Sequence, residues 1–236
     1  MSPRRGPQLP YSTICGATPW GKHWVTGTAK IGGAVFALET PRLYESFSEI
    51  LSESPSFSIV VVNAPIGYTD GPEFEPRSCD IASRALLGKR GSTIKNAPNR
   101  AVLNDQTGEL KTRMDAVSLK LLARYREVAE LVSPYRQRVV YEGHPELSFY
   151  QLNSNKPLRY SKNKEEGRVE RLILLEQKIP EVSKKVEETC ETIPQKYVLD
   201  AIALLWTARR VFGHAAQRIP PDAQWDSEGL RVERVL

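Results

Sequence analysis

The sequence predicts an α/β fold: a mixed sheet flanked by helices, with a three-stranded antiparallel start and a helix-rich second half. Three observations carry that expectation. Short β-branched runs around a Gly-Gly turn open the chain, an unbroken Ile-Val-Val-Val run occupies 59–62, and long apolar stripes of helical period dominate after residue 112.

Residues 1–11 hold three prolines and two arginines and read as a flexible basic arm, leaving 12–236 as one domain. Residues 12–18 (STICGAT) and 23–31 (HWVTGTAKI) read as strands, and Gly32-Gly33 turns the chain into a third at 34–38. From Pro41 a helix is expected, because Leu43, Phe47, Ile50 and Leu51 recur at helical spacing before Pro55. The run at 59–62 is the candidate central strand. It ends in Asn63-Ala64-Pro65-Ile66-Gly67, where proline and glycine turn the chain out of the sheet at the end where α/β proteins bind ligands.

A short helix over 79–87, a polar loop over 88–100 and a long helix over 112–132 follow. A strand at 139–141 runs into Glu142-Gly143-His144-Pro145-Glu146, and proline and glutamate there suit the first turn of a helix over 145–152. A second polar loop covers 153–164, with helices over 165–176, 179–193 and 196–212. Alternation in LRVERVL at 230–236 suits an edge strand returning to the sheet.

The chain has 236 residues, 40% hydrophobic and 26% charged, which places it among ordinary globular proteins. No apolar run approaches the ~20 residues needed to cross a bilayer, and no apolar stretch follows the arginines of the first ten residues, so neither a membrane span nor a signal peptide is expected. Three cysteines without CxxC or Cys/His zinc spacing point to a reducing, cytoplasmic compartment rather than a disulfide framework.

The net charge of +5 is local. Residues 81–100 hold Arg84, Lys89, Arg90, Lys95 and Arg100 with no acid, and 151–164 hold Lys156, Arg159, Lys162 and Lys164, again with none. Two such loops suit a phosphate-bearing partner, although solvated basic loops have the same composition.

P-loop, nucleophile-elbow, GxGxxG and HExxH patterns are missing, and the chemistry-bearing residues that remain are acidic. Glu142 and Glu146 flank His144, while Asp200 sits among Val198, Leu199, Ala201 and Ile202 and needs a partner, a metal or the helix end. Glu146 also reads as a first-turn glutamate, His144 as a hydrogen-bonded turn residue and Asp80 as a helix-start residue. One reason to gather carboxylates is Mg²⁺ or Mn²⁺, which prefers oxygen ligands and in pairs activates water for phosphodiester cleavage.

Five segments in order carry a resemblance: NAPIG at 63–67, RSCD at 77–80, LGKR at 87–90, EGHPELSF at 142–149 and DAIALLWTA at 200–208. Together they resemble the domain-of-unknown-function family 429, described as predicted nucleases of RNase H-like fold. The resemblance implies metal-dependent hydrolysis of nucleic acid, with Glu142 and Asp200 holding Mg²⁺ or Mn²⁺ and with Glu146 or His144 orienting water or ligands. It places two further site positions at Thr18 and Asn63, where the family carries aspartates and this chain carries neutral side chains. Arg77, Lys89, Arg90, Lys95, Arg100 and Lys162 are the expected nucleic-acid contacts. The alternative is a catalytically inactive module of the same fold that binds nucleic acid or a nucleotide.

Overall fold

The computed structural model describes residues 11–71, 75–110 and 114–236. Apart from Tyr11, the expected basic arm lies outside them, as do residues 112 and 113 of the long helix. Strands β1 (Ser12–Trp20) and β2 (His23–Gly32) pair antiparallel in full register, from Trp20 opposite His23 to Ser12 opposite Ile31. The chain reverses between them at Gly21, whose φ of +58° is open to glycine. β3 (Val35–Leu38) returns antiparallel on β2, reversed at Gly33, so the three-stranded start is present.

The helix expected from Pro41 is corrected by the structure. Arg42–Tyr44 forms β4, pairing Leu43 with Val25, and helix α1 (Phe47–Leu51) starts only where Ser46 Oγ accepts from the Glu49 amide. A backbone beside an unpaired stretch of β2 gains more from the ladder than from one early helical turn.

β5 (Ile59–Val62) lies parallel to β1 on one side and to β6 (Val140–Glu142) on the other, giving the order β3-β2-β1-β5-β6. Val60, Val61 and Val62 are all buried, as a strand covered on both faces requires. Val61 packs with α8 (Gln195–Phe212) on one face, while Val60 and Val62 pack with α1 and α4 (Ala116–Leu131) on the other. α8 lies so close to β1 that a Cβ at Gly16 would sit 2.1 Å from the Leu205 nitrogen, so only glycine admits the helix.

α2 (Ser78–Leu87) and a 3₁₀ turn (Gly88–Thr93) follow β5, and α3 (Arg100–Asn104) precedes α4. The loop expected over 88–100 is therefore partly helical. α5 (Pro145–Leu152), α6 (Glu165–Glu176), α7 (Val182–Thr189) and α8 make the second half helix-rich.

The last strand, β8 (Arg231–Val235), departs from expectation. It pairs with β7 (Arg218–Trp225) as a separate hairpin and touches the main sheet through one parallel bridge, Val235 to Gly143. β7 contains Pro220-Pro221, which lack ladder donors, and its register slips between Ile219 and Gln224 to accommodate them. Among the described residues no helix is long and apolar enough to cross a membrane.

Candidate functional site

A cavity of about 560 Å³ opens where β1, β5 and β6 end. All six expected catalytic positions line it: Thr18 and Asn63 from β1 and the turn after β5, Glu142 from β6, His144 and Glu146 at the start of α5, and Asp200 from α8. The expected phosphate contacts Arg90, Lys95 and Lys162 line it too. Parallel strands deliver their carboxyl ends to one edge of the sheet, which is why positions far apart in the chain converge there.

The neutral replacements hold each other: Asn63 Nδ2 donates to Thr18 Oγ1 at 3.0 Å, while the Asn63 amide donates to the Ala17 carbonyl. Asp200, almost wholly buried, lies in the second turn of α8, beyond the first-turn amides that would favour a charge there. Its partner is Lys162, from the polar loop before α6. Burial pushes the Asp200 carboxyl up, and the Lys162 ammonium only partly offsets it.

Glu146 lies between two guanidinium groups, with Arg90 Nε on one oxygen and Arg171 Nη2 on the other, both at 2.8 Å. Ser148, one turn-half further along α5, meets Thr207 of α8 at 2.8 Å and ties the two helices that carry Glu146 and Asp200. His144 is the α5 N-cap: its Nδ1 accepts from the Glu146 amide at 3.2 Å. Burial, followed by the nearby Arg234 and Lys162 charges, holds its basicity well below the usual histidine range, so the ring is neutral.

Glu142 is more heavily bonded still. Oε2 accepts from the Ile66 amide at 2.6 Å and Arg77 Nη1 at 2.9 Å, and Oε1 accepts from Arg77 Nη2 at 2.7 Å and Arg234 Nε at 2.8 Å. Arg77 and Arg234 both reach Asp80 as well. Burial alone would raise the Asp80 carboxyl, but the two arginines outweigh it and hold it well below the ordinary range.

Cys79, Asp80 and Glu142 form the one cluster of metal-type donors among the described residues, and it does not fit a divalent ion. Burial pushes the Cys79 thiol up to about 11, and two arginines already neutralise both carboxylates. The cavity's own acids fit no better, since Glu146 and Asp200 are engaged by cations and Thr18 and Asn63 bring no charge. The lining carries six cationic side chains, Arg90, Lys95, Lys120, Lys162, Lys196 and Arg234, against the three carboxylates. That balance favours an anion.

Three expected phosphate contacts are elsewhere. Arg77 is buried and also donates to the Gly67 carbonyl at 2.9 Å. Arg100 is spent on Asp70, Asp226 and Glu228, pinning the β7–β8 turn. Lys89 is exposed but does not line the cavity. Conversely, sequence reasoning did not single out Arg171, Lys196, Tyr197 or Arg234, whose positions follow from helix and hairpin packing rather than from any local motif. The Arg-x-Glu-Arg ending at Arg234 alternates like an ordinary strand and carries no sign of its inward role.

No curated protein and no solved structure matches this chain. A family model described as a protein of unknown function matches residues 19–224, most of the length, and the chain belongs to that family, DUF429.

Proposed function

We propose that the cavity binds the phosphate groups of a nucleic acid or nucleotide without a metal ion. The observation that carries this reading is that every carboxylate of the cavity is already paired with a side-chain cation, while Lys95, Lys120 and Lys196 add charge that those acids do not take up. Arginine and lysine hold phosphate through charge-assisted hydrogen bonds. The strand order, three antiparallel strands followed by two parallel ones on the far side of β1, supports the RNase H-like reading of the fold. Within that reading neutral Thr18 and Asn63 stand at two acidic positions, and the retained acids Glu142, Glu146 and Asp200 are paired with cations.

Binding of a labelled oligonucleotide, measured at low and high salt with EDTA or Mg²⁺, tests the proposal. Salt-sensitive binding that EDTA leaves unchanged is expected. Mn²⁺-dependent cleavage that Asp200→Asn abolishes would overturn it in favour of the nuclease reading, as would tight stoichiometric Mn²⁺ binding by calorimetry.

A further inference from the structure

One wall of the cavity is aromatic, and a phosphate alone gives no use for it. Tyr197 is the third residue of α8, one turn before Asp200, so both side chains leave the same face of the helix. Its half-buried ring lines the cavity. Trp20, the last residue of β1, backs that ring at 6.0 Å between centroids with a 32° tilt, and His23 lies 6.4 Å from Trp20 in turn. A ring supported from behind by a second ring keeps its orientation, which is what a recognition surface needs.

The same ring sits among cations. Lys196 Nζ lies over the ring 5.1 Å and Lys162 Nζ 5.7 Å from its centroid, and both residues line the cavity, so a stacked base takes the place over the ring that an ammonium group holds in the free protein. Lys196 Nζ donates to Asn163 Oδ1 at the cavity wall at 3.0 Å. A nucleotide presents a planar base and a phosphate within one residue's reach, and this wall offers an aromatic ring and two ammonium groups within one side chain's reach. Bases in a duplex are stacked on each other and offer no free face, whereas unpaired bases stack on protein aromatics.

We propose that Tyr197, backed by Trp20, is a stacking platform for an unpaired nucleobase, so that the cavity takes single-stranded nucleic acid rather than duplex. The inference rests on the phosphate-binding reading above and names the ligand class for that site. Lys196, whose charge the cavity's carboxylates do not take up, meets a phosphate flanking the stacked base, while Lys162 stays paired with Asp200.

Fluorescence anisotropy with three probes tests it: labelled oligothymidylate, an abasic deoxyribose-phosphate strand of equal length, and a duplex. The unmodified protein is expected to prefer oligothymidylate over both others. Tyr197→Leu is expected to lower oligothymidylate affinity roughly tenfold or more, the range that stacking one base carries, and to leave the abasic strand unchanged. Tyr197→Phe keeps the ring and is expected to keep the affinity. Equal binding of the thymidylate and abasic strands by the unmodified protein, which needs no variant to fold, would overturn the platform and leave phosphate binding standing. Binding of neither strand at low salt would overturn both.

Discussion

Arg77 and Glu142 meet through two parallel N–H···O bonds of 2.9 and 2.7 Å, with side chains only 1% and 2% exposed. Arg234 and Asp80 close the group into two cations and two carboxylates that join α2, β6, β8 and the turn after β5. Paired in this way, a buried charge set is tolerated, but removal of one member leaves its partners uncompensated. Glu142→Ala is expected to destabilise the fold by about 3–5 kcal/mol, visible as a lower urea midpoint with an unchanged slope. An unaltered midpoint would mean that the network is not what holds these elements together. Because of this cost, lost function in a Glu142 variant is expected to track lost folding.

Asp80 and Asp200 are expected to give opposite pH responses. The folded-state pKa of Asp80 lies below its unfolded value, so its contribution is present above the ordinary carboxylate range and is lost as pH falls through the folded value. Asp80→Asn should therefore lower the Tm at neutral pH, with the gap to the unmodified protein closing in acid. Asp200 is raised by burial, so its contribution is present below the ordinary range and is lost as pH rises through the folded value. Asp200→Asn should accordingly raise the Tm at neutral pH, and that gain should shrink in acid. Thermal melts of both variants across this window check the signs, and shifts in the same direction would contradict the assignment.

His144 is held neutral by burial and by neighbouring cations, so the folded protein binds fewer protons there than the unfolded chain. Stability from this group is present above about pH 6.5 and declines as pH falls below it. His144→Asn keeps an N-cap acceptor and should remove that part of the acid sensitivity. In the unmodified protein, the His144 ring signals in NMR should show no titration between about pH 6 and 8, in contrast to a free histidine.

Phosphate contact by cavity cations has a salt signature. Lys95→Gln and Lys196→Gln should each weaken binding of a single strand and reduce the slope of log K against log salt by about 0.7. Lys89→Gln, on the same basic stretch but away from the cavity wall, should leave the slope unchanged. Equal slopes for all three variants would mean that net charge, rather than the cavity, controls binding.

Much of the scaffold was legible because local rules decide it. Both faces of β5 are buried, so its apolar run has no polar interruption; Pro145 and Glu146 begin α5 where proline and acid suit a first turn; α8 shows its long apolar stripe. β4 and β7 were not legible. A three-residue strand exists only because β2 has an open edge beside it, and β7 carries two prolines that argue against a strand until β8 is there to pair with its ends.

The resemblance to the family gathered Thr18 and Asn63 with Glu142, His144, Glu146 and Asp200, but periodicity does not show that Thr18 and Asn63 lie near Asp200; the tertiary structure brings all six to one cavity. The state of those groups was not legible either. Glu142 and Glu146 look alike as carboxylates beside His144, and only the tertiary structure assigns one to Arg77 and Arg234 and the other to Arg90 and Arg171. The same holds for the basic residues: in sequence Lys95 and Arg100 belong to one run, yet one faces the cavity and the other is spent on three carboxylates brought in by the hairpin and a distant loop. The sequence by itself determined β5, α5, α8 and the antiparallel start, since periodicity and turn chemistry act over a few residues, but not β4 or β7, which exist only against a partner strand. Which charge meets which was decided only in three dimensions, because an ion pair acts across a few ångströms of space regardless of the distance along the chain.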